Sequence, residues 1–214
     1  MPEVVISGQG VVSAAGTSVE EHLTALYDGV ERNSIDDYKI KVKHAAHLSD
    51  RRMLKAVSKI DAFGLVAVEL AKKHCGYEPE AFDSWKFGVY VGAPAGSPWD
   101  NENYFEAMRE TQDGDGPCQE AAFGQTCMNA RPTTLLLGLP NNVLCYASMI
   151  LDAKGPNSNY TSAETSGQIA LMTAAKRIQQ GRLSAAVAGG FSSYTEPLIG
   201  SMMRQLGHLQ DPKD

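Results

Sequence analysis

The chain has 214 residues, of which 43% are hydrophobic and 21% are charged, and its formal net charge is −6. This composition is ordinary for a globular domain, and a chain of this length buries roughly 70% of its unfolded surface when it folds. The negative charge argues against nucleic acid as a partner, because phosphate backbones attract basic surfaces.

The sequence predicts neither a signal peptide nor a membrane span. The N-terminus, Met1–Val4, has no basic start and no long apolar run after it. No window reaches the roughly 18 consecutive apolar residues of a spanning helix. The four cysteines show no CxxC or metal-ligand spacing, which fits a reducing compartment. We therefore expect a cytoplasmic protein.

No metal site and no thiol nucleophile are expected. His44 and His47 are three residues apart and share a face if that segment is helical, but no nearby Cys or carboxylate pattern supports a metal site. Cys145 has apolar neighbours and no His close in the sequence, so it is predicted to be a buried, unreactive thiol.

The N-terminal half alternates predicted strands and helices. Val4–Ser7 is predicted to be a buried strand. The pattern Ser18-Val19-Glu20-Glu21 is a capping box, which begins a helix. Apolar residues at helical spacing predict one or two amphipathic helices between Asp50 and His74. In Trp85–Val91, apolar residues first alternate with other residues and then become continuous, which is typical of a core strand.

The C-terminal half continues this alternation after a long loop. Residues 93–125 are rich in Gly, Pro and Asp and are expected to form a loop excursion. A helix is predicted over Val143–Leu151, and a buried strand over Leu183–Ala188. The charged tail 210–214 is expected to fray. We see no internal linker, so residues 1–214 are predicted to form a single α/β domain.

The segment from Gly155 to Gly167 predicts a turn, a short strand, a sharp elbow at Ala163-Glu164 and then a helix. Thr165 and Ser166 are residue types that cap helices, and Gly167 allows close packing. Position 164 would lie at the helix N-terminus, where the macrodipole favours negative charge. Such a position suits a reactive thiolate or a carboxylate. Here the residue is Glu164.

Residues 161–167 read Thr-Ser-Ala-Glu-Thr-Ser-Gly. This segment resembles the nucleophile elbow of the β-ketoacyl-acyl-carrier-protein synthases, which reads Ala-Cys-(Ala/Ser)-Ser-Gly. Three further segments resemble that family in the same order: Val4–Ser13, Phe87–Gly92 and Ala185–Gly190. The resemblance implies a thiolase-like α/β fold, present as one half of a duplicated fold, with a five-stranded mixed sheet and helices on both faces.

The sequence departs from this family at the residue that performs the chemistry. Glu164 occupies the position of the nucleophilic Cys and cannot hold an acyl chain as a thioester. The two catalytic His residues of the family come from the second half of the fold, which we expect this protein to lack. We therefore expect no catalytic residue, and a role like that of the chain-length factors in type-II polyketide, polyene or specialised fatty-acid biosynthesis.

The resemblance also implies partners. A chain-length factor pairs with an active ketosynthase and shapes the tunnel for acyl chains, which arrive on the phosphopantetheine of an acyl carrier protein; no cofactor is expected on this chain itself. The elbow strand of the family lies at a sheet edge and pairs with a partner, and the elbow helix is covered by the second half. The interface and tunnel candidates are Asn157, Asn159, Tyr160, Thr161, Met128, Arg131, Thr133, Leu144 and Met149.

Carrier proteins of these systems are acidic, so docking requires a local basic patch. The sequence offers two candidates, Arg51-Arg52 with Lys55 and Lys59, or Lys176 and Arg177 with Arg182. Solvated helix faces are the alternative interpretation of both.

Two other functions remain open from the sequence. Glu164 is a possible general base for decarboxylating a malonyl group or hydrolysing a thioester, which would also need an oxyanion hole. Alternatively, the chain is a pure assembly module whose elbow has no chemical role.

Overall fold

The computed structural model describes residues 3–29, 39–48, 50, 52–94, 108–112, 114, 116, 119–120, 122–124, 134–162, 165–193 and 197–208. Within them the helices are α1 (Val19–Asp28), α2 (Lys59–His74), α3 (Thr134–Leu137), α4 (Asn142–Ile150), α5 (Ser166–Gln179) and α6 (Pro197–Gln205). The strands are β1 (Phe87–Gly92), β2 (Asn157–Tyr160) and β3 (Ala185–Gly190). None of the helices in these ranges has the length and apolar character needed to span a membrane.

The three strands form a parallel sheet in the order β2-β1-β3. Val89 in the central strand pairs with Asn157 on one side and with Val187 on the other. Every residue of β1 is buried, as expected for the central strand of a parallel sheet that is covered on both faces. The core strand predicted from the apolar sequence of this segment is therefore confirmed as β1.

Alternate residues of β1 face two different helical layers. Val89 and Val91 belong to the larger apolar cluster, which also contains buried residues of α2 and α4. Tyr90 belongs to a second cluster together with Ala170 and Ala174 of α5. Because side chains alternate along a strand, helices cover both faces of the sheet.

The long helix α2 runs antiparallel to β1. It begins at a capping box in which the Ser58 side chain accepts from the Asp61 N–H and the Asp61 side chain accepts from the Ser58 N–H. Near this end, a Cβ placed on Gly64 would lie 3.4 Å from the Phe191 ring, which follows the end of β3. Beyond the other end of α2, the Tyr77 ring lies 5.5 Å from that of Phe87 at the start of β1. The N-terminus of α2 thus lies at the carboxyl ends of the strands.

The helix α1 forms where its capping box predicts but stays outside the core. Ser18 and Glu21 make both bonds of the box, and none of the residues of α1 is buried. The helix ends at Gly29, whose φ of 66° is readily adopted only by glycine. Leu26 and Tyr27 are 75% and 82% exposed.

The five-stranded mixed sheet expected from the resemblance is not observed, because the described residues form three parallel strands. Val4–Ser7, predicted to be a buried strand, is not a strand, and Val5 and Ile6 are 74% and 77% exposed. A strand needs a neighbouring strand to satisfy its backbone groups, and none of the described strands pairs with this segment. The segment that follows packs on α2, since a Cβ on Gly8 would lie 2.7 Å from the Ala71 carbonyl oxygen.

Two predicted features lie mostly or wholly outside the described residues. The loop excursion over residues 93–125 is described only at 93–94, 108–112, 114, 116, 119–120 and 122–124, and the tail 210–214 is not described. The single domain over residues 1–214 stays a prediction.

Candidate functional site

The turn between β2 and α5 is where the sequence predicts the elbow. The strand β2 ends at Tyr160, five residues before Thr165, and Thr161 and Ser162 after it are exposed. Ala163 and Glu164 lie outside the described residues. The Thr165 N–H donates to the Ser162 carbonyl at 3.2 Å, so the two sides of the turn are joined by a backbone hydrogen bond.

Thr165 occupies the N-cap position of α5 without bonding a helix N–H through its side chain. Its hydroxyl donates instead to the Ser162 carbonyl at 3.0 Å, which tightens the turn. Ser166, the first residue of the helix, is buried. Because a helix N-terminus carries a partial positive charge, it stabilises an anionic side chain close to it. Glu164 is the acidic residue that immediately precedes Thr165 in the sequence.

Three glycines bring the N-terminus of α5 directly onto the sheet. Gly92 ends β1, Gly190 ends β3, and Gly167 lies in the first turn of α5. A Cβ on Gly92 would overlap the backbone nitrogen of Gly167, and a Cβ on Gly190 would lie 3.0 Å from the Gly167 Cα. The N-terminus of α5 therefore lies at the carboxyl ends of the strands, which is where open α/β sheets bind their ligands.

The strand β2, which leads into the elbow, lies at an edge of the described sheet. Asn157 is exposed, while Asn159 and Tyr160 are half-buried. Tyr160 packs against the cluster that contains Tyr90. The Asn159 Oδ1 is buried and has no hydrogen-bond partner within the described part of the chain. Buried amide oxygens are normally hydrogen-bonded, so this atom is suited to a donor from another chain or a ligand.

The helix α4 packs on the sheet beside this edge and presents a second face to the surface. It contacts both β1 and β2. Leu144 is buried, whereas Met149 is 67% exposed. Cys145 is exposed, so the prediction of a buried thiol is wrong. Its apolar neighbours in sequence include residues on both faces of α4, and Cys145 lies one turn from Met149 on the outer face.

The structure brings together only some of the predicted interface and tunnel residues. Those on β2 and α4 lie on adjoining elements, as described above. Met128, Arg131 and Thr133 lie outside the described residues.

A buried polar contact between the N-termini of α2 and α4 was missed by the sequence reasoning. The Asn142 Nδ2 donates to the Asp61 Oδ2 at 3.2 Å and to the Leu136 carbonyl at 2.8 Å. Burial raises the pKa of the Asp61 carboxyl, while hydrogen bonds from Ser58 and Asn142 lower it. The capping box at 58–61 is visible in the sequence, but its partner 81 residues from Asp61 is not.

The helix α5 leaves part of its apolar surface uncovered by the described chain. Ala170 and Ala174 are buried against the sheet, but Leu171 is 50% and Met172 is 72% exposed. The resemblance predicts such an uncovered face. Adjacent exposed apolar side chains on a well-packed helix are typical of a surface that binds another protein.

The two basic candidates lie at opposite ends of the sheet. Arg52, Lys55 and Lys59 are exposed and precede or begin α2, so they lie towards the carboxyl ends of the strands. Arg51 lies outside the described residues. The other group lies where α5 ends and β3 begins, at the amino ends of the strands, and consists of Lys176, Arg177 and Arg182. A six-residue strand spans about 20 Å, so only the first group is on the elbow side.

Within the described residues, no group of three or more His, Cys, Asp or Glu side chains is arranged to hold a metal ion. His44 packs edge-on against Phe63, with the ring centroids 6.1 Å apart. The side chain of His44 therefore has a packing role in this structure.

The sequence is similar to ketosynthases across almost its whole length. The family described as "Beta-ketoacyl synthase, N-terminal domain" matches residues 1–214. The tetracenomycin polyketide synthase ketoacyl synthase beta subunit of Streptomyces glaucescens is 28% identical over 87% of this chain and 45% of that protein. The 3-oxoacyl-[acyl-carrier-protein] synthase 2 of Coxiella burnetii is 26% identical over 91% of this chain and 47% of that protein. The chain thus spans about half the length of these relatives.

Solved structures show the same fold. A type II polyketide ketosynthase, AntDE, in complex with the acyl carrier protein AntF, superimposes with a TM-score of 0.74 at 16% identity, covering 95% of this chain and 54% of that chain. The ishigamide ketosynthase/chain length factor gives a TM-score of 0.73 at 16% identity, covering 96% of this chain and 51% of that chain. The family match over residues 1–214 shows that the chain belongs to the β-ketoacyl synthase family, of which it matches the N-terminal domain.

Proposed function

We propose that this chain is a non-catalytic ketosynthase-like subunit of the chain-length-factor type. It pairs with an active β-ketoacyl synthase in type-II polyketide, polyene or specialised fatty-acid biosynthesis and shapes the acyl tunnel. The observation that carries the proposal is Glu164, which stands in the sequence where the family elbow has its nucleophilic Cys.

The chemistry of a carboxylate supports a non-catalytic role. Carbon–carbon condensation needs an acyl group held on a nucleophile as an activated thioester. A carboxylate would form an anhydride, which water hydrolyses readily. A carboxylate next to the N-terminus of α5 is instead stabilised by the helix macrodipole. Glu164 therefore replaces a reactive group by one that favours the fold of the elbow.

Two surfaces next to the elbow support pairing with another subunit. The outer edge of β2 has no strand beside it in the described chain, and the Asn159 Oδ1 on this strand lacks a donor there. On α5, Leu171 and Met172 form an exposed apolar patch. Exposed strand edges and apolar patches are both surfaces that proteins normally cover. A ketosynthase partner, or the second half of a longer chain, would cover them.

The position of the basic residues supports docking of an acyl carrier protein on the elbow side. Arg52, Lys55 and Lys59 lie towards the carboxyl ends of the strands, where the elbow is. An acidic carrier protein attracted to this group would deliver its phosphopantetheine arm to the same end of the sheet. The group formed by Lys176, Arg177 and Arg182 lies at the other end and does not provide this approach.

Co-expression with an active ketosynthase of the same organism tests the proposed pairing. We expect the two chains to co-purify one to one. We also expect Leu171→Lys with Met172→Lys to reduce recovery of the complex about tenfold or more, because the interface would then bury two unpaired charges. Tyr27→Lys is the control, since it places a lysine at an exposed aromatic position on α1, away from α5.

Unchanged co-purification of the double lysine variant would show that α5 is not part of the interface. If the wild-type chains did not associate at all, the proposed function would be wrong. Circular dichroism of each variant separates a lost interface from a lost fold.

Substitutions of Met149 separate a length-setting subunit from a bare scaffold. Met149 is exposed on α4 beside the edge strand. If it lines the tunnel, Met149→Ala lengthens the product and Met149→Trp shortens it, as read by mass spectrometry of the co-expressed pair. Unchanged product length in both variants would favour the scaffold.

A further inference from the structure

A serine and a histidine outside the elbow form a hydrogen-bonded pair just before and within α1. The Ser13 Oγ lies 2.7 Å from the His22 Nε2. The other ring nitrogen, His22 Nδ1, lies 2.7 Å from the Ser18 carbonyl oxygen. Both residues are half-buried.

The geometry determines which nitrogen carries the proton in neutral His22. A carbonyl oxygen only accepts hydrogen bonds, so the His22 Nδ1 must be the donor to Ser18. The Nε2 then has a free lone pair that accepts the Ser13 hydroxyl. A nucleophile, a base and a group that orients the base are the parts of an activated serine. Here a backbone carbonyl orients the imidazole.

The cap of α1 is made without this pair. The N-terminus of α1 is already capped by Ser18 and Glu21. The Ser13 Oγ also accepts the Ala15 N–H at 3.0 Å, a bond that needs only the oxygen of the serine. The same N–H stabilises negative charge that develops on the Oγ when the proton leaves.

We propose that Ser13 and His22 form a nucleophile–base pair that takes acyl groups from small esters or thioesters. The Ser13 Oγ attacks the acyl carbonyl while its proton passes to the His22 Nε2. The bond from the carbonyl to the alcohol or thiol breaks, and that leaving group takes the proton from His22. Water then attacks the acyl-serine ester, assisted by His22, and releases the carboxylic acid.

The surface beside the pair favours an apolar acyl chain. Leu26 is one helical turn after His22 on α1 and is 75% exposed. In the proposed reaction, a short acyl chain on Ser13 would pack on this side chain. The substrate class is therefore a short or medium acyl ester or thioester rather than a charged one. This inference does not depend on the role of Glu164.

Labelling of the purified full-length chain with a fluorophosphonate tests the proposal. The Ser13 oxygen replaces fluoride on phosphorus, and the adduct is read by intact mass and located by peptide mapping. We expect one adduct, on Ser13, that forms about 100-fold more slowly in His22→Gln. Ser184→Ala is the matched control, because this exposed serine hydroxyl bonds a carbonyl and not a histidine, and its loss should not change labelling.

Hydrolysis of p-nitrophenyl esters gives a second measurement. We expect Ser13→Ala to remove the rate above background, and Leu26→Lys to slow the hexanoate ester more than the acetate ester. Wild-type folded chain that acquires no adduct on Ser13 would overturn the proposal, as would equal labelling rates in wild type and His22→Gln.

Discussion

Asn142 joins the start of α4 to the start of α2 through buried hydrogen bonds. Its amide nitrogen serves both the Asp61 carboxylate and the Leu136 carbonyl. We expect Asn142→Ala to lower the free energy of unfolding by about 1–3 kcal/mol, because it leaves a buried carboxylate with one donor fewer. Chemical denaturation monitored by circular dichroism measures this difference.

The neighbouring Asn141 provides a control of the same residue type. It is exposed, and within the described residues its Nδ2 makes a 3.5 Å contact with the Cys145 Sγ. Asn141→Ala should change the free energy of unfolding by less than about 0.5 kcal/mol. Equal effects of the two substitutions would show that the Asp61 contact is not the cause.

Asp61 should also give the stability a dependence on pH. Burial raises the pKa of its carboxyl in the folded state above the ordinary value of 3.8. Its favourable contribution is therefore fully present below that value and is lost as the pH rises through the folded pKa. Asp61→Asn keeps an acceptor oxygen and does not ionise, so the free energy of unfolding of the variant relative to wild type should increase from about pH 4 to about pH 7. If the free energies of unfolding of wild type and Asp61→Asn depended on pH in the same way over that range, the raised pKa of Asp61 would be contradicted.

Single residues also show where sequence reasoning reaches its limit. Glu164 is readable as a departure from a cysteine elbow, because the motif around it is local. Cys145 was misplaced because apolar neighbours in sequence do not specify which face of α4 turns outward. Contacts such as Asn142 with Asp61 join distant parts of the chain, and no local pattern contains them.

At the scale of elements, the approach of α5 to the sheet depends on glycine. A Cβ on Gly92 would meet the backbone of Gly167, and backbone atoms cannot rotate away. We expect Gly92→Ala to destabilise the fold by about 1–3 kcal/mol, measured by thermal and denaturant unfolding. Gly189→Ala is the control, since nothing lies within 4 Å of its added Cβ. A stability loss of the same size in both variants would contradict the close packing.

The two basic groups make opposite predictions for carrier-protein binding. Replacing Arg52, Lys55 and Lys59 by Glu should weaken binding of an acidic acyl carrier protein about tenfold or more, and the weakening should shrink at high salt. Replacing Lys176 and Arg182 by Glu adds negative charge at the other end of the sheet and should weaken binding of the carrier protein less. Fluorescence anisotropy at two salt concentrations measures the affinity of each variant for the carrier protein. A larger loss of affinity on replacing Lys176 and Arg182 would show that the carrier protein docks away from the elbow.

The helix α1 and the central strand follow from local sequence patterns. The capping box that begins at Ser18 forms in α1, and the apolar run of β1 forms the central strand. The strand predicted over Leu183–Ala188 forms two residues later, over Ala185–Gly190, and is half-buried rather than buried. The segment Val4–Ser7 has an equally strand-like sequence but no neighbouring strand in the described sheet. Strand formation depends on a partner strand, and partner strands are not specified by the segment itself.

At the scale of the whole molecule, uncovered surfaces occur on several elements. Leu171 and Met172 on α5, Met149 on α4, and Val5 and Ile6 near the N-terminus are all at least half exposed. The chain covers 45% of its relative from Streptomyces glaucescens. Apolar surface of this extent is expected where a further domain or subunit packs.

Under the proposed function, this chain contributes to carbon–carbon condensation only together with an active ketosynthase. The most direct measurement is mass spectrometry of ketide products formed from acyl and malonyl carrier-protein thioesters by the chain alone, by the ketosynthase alone, and by both together. Acyl transfer to Ser13 forms no carbon–carbon bond and does not affect this measurement. We predict full-length ketide only when both subunits are present. A ketide formed by this chain alone, and lost in Glu164→Ala, would contradict the account.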